Sequence, residues 1–127
     1  MANAFSGRNR REFLRYRYEK PIHYSMVSSV KDNNPIAESL IKAVTKNLSA
    51  SGILFTTDNV PELSSVLILD LDYRTTRICK EIEENALIVN NKLLGKVVRI
   101  EDNDNGMCDV GVAFIKKSEE LSKDLVS

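Results

Sequence analysis

The chain has 127 residues, 43% hydrophobic and 28% charged, which is the length of one domain with enough apolar material for an ordinary core. Lysine plus arginine and aspartate plus glutamate both number 18, so the net charge is zero, which argues against a fold that coats a long polynucleotide. No apolar run approaches the roughly 20 residues that span a bilayer. The N-terminus lacks the apolar stretch of a secretory signal, so a cytoplasmic protein without membrane insertion is expected.

Charge is nevertheless uneven along the chain. Residues 1–24 carry Arg8, Arg10, Arg11, Arg15, Arg17 and Lys20 against Glu12 and Glu19, a balance of +4 that leaves −4 for the remainder. The reading is a flexible basic arm over residues 1–20, followed by a β-barrel with a C-terminal helix over 21–127, one domain overall. A positive field this local fits a small anionic ligand or a short contact patch. Arg11 and Arg15 stand four apart, so they share a face whether the segment is helical or extended. Arginine suits a phosphate because its planar fork donates two parallel hydrogen bonds, and its flat face can stack on a base.

Beyond the arm the dominant period is two, the mark of half-buried antiparallel strands. Strands are predicted over 21–29, 38–48, 53–57, 65–72, 86–100 and 107–115, the 86–100 stretch being interrupted by "NNKLLG", where a turn would divide it in two. Asn105-Gly106 is a two-residue hairpin signal that should join the strand near 95–101 to the one after Met107. "KDNNP" and "DNVPE" read as loops. Only the tail "KSEELSKDLVS" looks helical, with Ser118 as cap and Leu121 and Leu125 on one face. Cys79 and Cys108 form no C-x-x-C pair and read as buried, reduced thiols.

Catalytic signals are missing. The one histidine, His23, is out of phase with Ile22, Tyr24 and Met26 and reads as a surface residue. Glu81, Glu83 and Glu84 have no assignable acid–base partner and read as a solvated strand end or loop. Aligning "EDNDNGMCDVGV" as a calcium loop leaves Val112 where the closing acid should be, so the hairpin reading wins. Neither an enzyme nor a cofactor is expected, and no metal site.

A second stretch, "NLSASGILF", offers Asn47 and Ser49 two apart at the end of a predicted strand, where both would face the same way. They supply amide and hydroxyl groups suited to a base edge or a phosphate oxygen. Gly52 removes a Cβ, permitting a tight turn or close approach to the backbone.

The two stretches together resemble the signature of the PilZ domain family, R-x-x-x-R near the N-terminus and [D/N]-x-S-x-x-G downstream. The first is Arg11-Glu-Phe-Leu-Arg15 and the second Asn47-Leu-Ser49-Ala-Ser-Gly52. "GKVVRI…DVGVAF" is similar to the family's closing strands, so the resemblance covers most of the chain. It implies a six-stranded antiparallel β-barrel that binds cyclic di-GMP. Arg11 and Arg15 would hold phosphates and stack on guanine, Asn47 and Ser49 would contact the ligand, and Gly52 would shape the turn beneath it. Arg10, immediately before the motif, resembles members that take up two intercalated ligands. The connection "VKDNNPIAESL" is longer than in a minimal member. With no output domain in the sequence, the expected action is a ligand-driven change of shape relayed to an unidentified protein partner. A ligand-independent adaptor of the same family and a small RNA- or DNA-binding barrel are the alternatives; the −4 balance outside the arm speaks against a polynucleotide partner.

Overall fold

Apolar–polar alternation becomes strand along most of this chain. The computed structural model describes residues 16–17, 19–31, 34–37, 40–103 and 105–119. Within them lie β1 (Tyr16–Arg17), β2 (Pro21–Lys31), β3 (Asn34–Ala37), β4 (Ile41–Leu48), β5 (Gly52–Thr57) and β6 (Val66–Asp70). A 3-10 turn (Tyr73–Thr75) and α1 (Cys79–Asn85) follow, then β7 (Ile88–Val89), β8 (Lys92–Asp102) and β9 (Cys108–Phe114). Antiparallel pairing runs β4-β5-β9-β8-β6-β2, and β2 returns to pair with β4, Pro21 opposite Val44 and Tyr24 opposite Ile41. This closes the expected six-stranded barrel and removes the open edges of its sheet.

The barrel interior is filled by Ile22, Tyr24, Phe55, Leu67, Leu69, Leu93, Val97, Val110 and Val112, among others. Tyr24 lies 4.9 Å from Phe55 between ring centroids, and its hydroxyl reaches Thr57 Oγ1 at 3.2 Å and the Asn59 carbonyl. Successive strand residues point to opposite faces, so Val66, Ile68 and Leu94 face outward. There they join Val27, Val30, Leu87, Val89 and Ile115 in a second apolar cluster. β2, β6 and β8 are thus covered on both faces over part of their length, the physical reason that "VLIL" is a continuous apolar run.

One interior group is uncompensated. Thr45 is fully buried in β4, and its Oγ1 is the buried side-chain polar atom without a hydrogen-bond partner among the described residues. Thr45→Val keeps the β-branched shape and removes a hydroxyl that loses its water on folding for nothing in return. We expect stabilisation of about 1 kcal/mol, seen as a melting temperature a few degrees higher. A variant that melts at or below the parent temperature would show that the hydroxyl is satisfied in solution.

Several expectations are refined. The predicted loop "KDNNP" belongs instead to a hairpin: β2 runs on to Lys31, and β3 folds back on it with Lys31 opposite Asn34 and Val27 opposite Ala37. The turn in "NNKLLG" is real, for Asn90 and Asn91 take positive φ (54° and 65°) and join β7 to β8. β8 and β9 pair as predicted, but among the described residues of that end only Gly106 takes positive φ (75°). A wider loop forms, in which the Asn103 carboxamide oxygen accepts the Asn105 and Met107 N–H groups.

Glu81, Glu83 and Glu84, read as a solvated strand end or loop, lie instead on α1. The helix has no side-chain N-cap and persists because Ile82 is wholly buried in the barrel core. Ile78, Ile82 and Ala86 recur every fourth residue, a helical stripe in the sequence too short to stand out from the strands around it. The tail helix falls mostly outside the described residues, of which Lys116–Glu119 form a turn, Lys117 N–H donating to the Asn85 carbonyl. His23 is exposed as expected. Cys79 and Cys108 are free, but half-buried rather than buried.

Candidate functional site

The N-x-S-x-x-G stretch forms the end of β4, a tight turn and the first residue of β5. Ser49 N–H donates to the Gly52 carbonyl at 2.9 Å, closing the turn. The Ser49 hydroxyl accepts from the N–H groups of Ser51 and Gly52, both at 3.2 Å, and lies 3.2 Å from the Ser51 hydroxyl. Ser49 is only 6% exposed. Its oxygen therefore serves its own turn, substituting for a backbone acceptor as short hydroxyl side chains do. The expected shared face with Asn47 does not arise as a pair of strand positions, because β4 ends at Leu48.

Asn47 owes its orientation to a bulge. Thr45 pairs with Phe55 and Asn47 with Leu54, so Lys46 is an extra residue on the β4 side. Strict alternation after Thr45 would send Asn47 into the core and Leu48 outward. The bulge reverses this: Leu48 is fully buried and Asn47 is half-buried on the outer wall. Apolar spacing holds the clue, since Ala43, Thr45 and Leu48 cannot all face inward on a regular strand.

Lys46 reaches across β5 to β9, its Nζ 3.1 Å from Asp109 Oδ2. Asp109 Oδ1 accepts from the Thr56 hydroxyl at 2.9 Å and from Asn103 Nδ2 at 3.2 Å. Partial burial pushes the Asp109 carboxyl up, but the hydrogen bonds from Thr56, Lys46 and Asn103 outweigh it and hold the group below its ordinary value. This network on the outer wall carries no motif and was invisible to sequence spacing.

Gly52 does not need positive φ. A Cβ there would come 2.4 Å from the Val112 carbonyl oxygen, so the close approach that this glycine permits is that of β9.

β1 lies beside the second motif. Tyr16 pairs with Leu48 and Arg17 with Asn47, prolonging the β2 side of β4. Arg10, Arg11 and Arg15 lie outside the described residues. Behind the turn, a groove of about 640 Å³ is lined by Ala50, Ser51, Glu84, Phe114, Lys116 and Lys117, among others. Its rim carries both signs of charge and so selects no anion. Among the described residues no helix is long and apolar enough to cross a membrane.

A closed antiparallel barrel with the short strand β1 laid beside a polar strand end defines a small β-barrel domain. The sequence model of the PilZ domain matches residues 9–127, nearly the whole chain, and the chain belongs to that family. No curated protein matches it significantly, so the family model carries the relationship.

Proposed function

We propose that this protein is a receptor for cyclic di-GMP. The arginines of R-x-x-x-R grip the phosphates and stack on guanine, and the outer wall at Asn47 and the Ser49 turn receives the ligand. One observation carries the reading: β1 is hydrogen-bonded beside Asn47 and Leu48, so the arm that bears the arginines starts its approach at the second motif. Membership of a family of ligand-binding domains points the same way. Ser49 then acts mainly through the turn it holds, and Gly52 through the seating of β5 on β9. Binding orders the basic arm against the barrel, since a bound dianion offsets the mutual repulsion of its arginines, and the repositioned arm presents a changed surface to a protein partner.

Isothermal titration tests this. Cyclic di-GMP should bind at micromolar concentration or tighter, with GMP and ATP far weaker. Saturation near two ligands per chain would support a role for Arg10 in an intercalated pair. Affinity should weaken only modestly from low to physiological salt, because two phosphates carry no condensed counterion atmosphere. No heat with cyclic di-GMP, alongside RNA binding that falls steeply with salt, would replace this reading with the nucleic-acid one.

A further inference from the structure

We propose that Asp109, which belongs to neither motif, is a positioning residue for ligand binding: through Lys46 it holds Asn47 toward the outer wall. The inference rests on the cyclic di-GMP reading above. Asn47 owes its direction to the β4 bulge, in which Lys46 is the extra residue. The extra residue of a bulge is left out of the ladder pairing. Here its side chain supplies a tether instead. The Lys46 ammonium crosses β5 and meets Asp109 Oδ2 on β9 at 3.1 Å.

Asp109 is itself anchored from two further sides. Thr56, its register partner on β5, donates its hydroxyl to Oδ1 at 2.9 Å. Asn103 Nδ2 donates to the same oxygen at 3.2 Å, while the Asn103 carboxamide oxygen accepts the Asn105 and Met107 N–H groups. The carboxylate is thus fixed to β5 and to the β8–β9 loop before it reaches Lys46. The Lys46 side chain is 48% exposed and that of Asp109 18%, and an ion pair this open to water adds little stability. Its consequence is geometric, since bonds of this kind hold a binding side chain in place before the ligand arrives. Charge alone would act the other way. Asp109 stands opposite Glu101 of β8, and an acid on a wall that receives a dianion repels it. If Asp109 met the ligand only through its charge, its removal would tighten binding. If it holds the bulge, its removal weakens binding.

Titration of cyclic di-GMP into the full chain and into Asp109→Asn, Asp109→Ala, Lys46→Met and the double Lys46→Met/Asp109→Ala variant tests the assignment. The ligand-free melting temperature of each is measured in parallel. Asp109→Ala should weaken binding about tenfold. Asp109→Asn keeps the shape and can still accept from Thr56, so it should weaken binding less, about threefold, at a melting temperature near that of the parent. The double variant should bind no more weakly than the weaker of its single variants, because both changes release one tether. A parent chain that binds, with equal or tighter binding in both Asp109 variants, overturns this inference and leaves the receptor reading intact. Additive losses in the double variant overturn it too, since Lys46 and Asp109 would then act separately. If Asp109→Ala melts well below the parent, Asp109→Asn decides: weakened binding supports the assignment and unchanged binding overturns it. A parent chain that gives no heat overturns the receptor reading, and this inference with it.

Discussion

Replacing Arg11 and Arg15 together by alanine should remove cyclic di-GMP binding while the barrel melts as before. Each arginine supplies a charge-assisted contact of roughly 1.5–3 kcal/mol, or about ten- to a hundredfold in affinity. The pair acts on one ligand, so the losses need not add, yet the double variant should fall at least a hundredfold. The barrel should not notice. Among the described residues the core begins at Ile22, and the interior cluster is drawn from β2, β4, β5, β6, β8, β9 and the segments around α1. Amide exchange gives an independent view: residues 8–16 should exchange more slowly with ligand in the parent chain and show no such slowing in the double variant. Unaltered affinity in that variant would mean that the arm is not the clamp, whatever the barrel contributes.

The parts of this protein that were legible in its sequence are those governed by a two-residue period. Leu67 and Leu69, Val110 and Val112, and Ile22 and Tyr24 all face inward, and the closed barrel follows from pairing such strands. What escaped was structure set by another rule. The β2–β3 hairpin hides in "KDNNP" because turn-forming residues occupy strand positions, Asn34 and Pro35 included. α1 hides because a seven-residue helix with one wholly buried residue leaves only the Ile78, Ile82, Ala86 stripe as its trace. The Lys46 bulge hides because it is a single inserted residue, yet it decides which way Asn47 points. Motif spacing marked Asn47, Ser49 and Gly52, but it could not separate residues that meet a ligand from those that shape the turn. That distinction rests on where the hydroxyl of Ser49 and the missing Cβ of Gly52 are directed.

Gly52→Ala should be among the most damaging single-methyl changes in the chain. The new Cβ would sit 2.4 Å from the Val112 carbonyl oxygen and 3.4 Å from Ala113 Cα, both of them backbone atoms that cannot rotate away. β5 must then lift from β9 at its first residue, where Gly52 is in register with Ala113 and Ile53 with Val112. The same displacement disturbs the Ser49–Gly52 turn and the bond from Phe114 N–H to the Ser51 carbonyl at 2.9 Å. Overpacking of this kind costs about 1–3 kcal/mol, and a strained ladder bond adds about 1 kcal/mol. A fall in melting temperature of roughly 7–15 °C is expected. Gly106→Ala is the control. Its φ of 75° disfavours a side chain, but nothing among the described residues lies within 4 Å of the added methyl, so only the backbone cost of about 1 kcal/mol remains. Ligand binding separates two meanings of the glycine in the motif. If Gly52→Ala loses stability and affinity together, Gly52 serves the seating of β5 on β9, and the ligand feels it through Asn47 and the turn. If it melts like the parent and still fails to bind, the missing Cβ is there for the ligand, and the contact with β9 does not decide the residue.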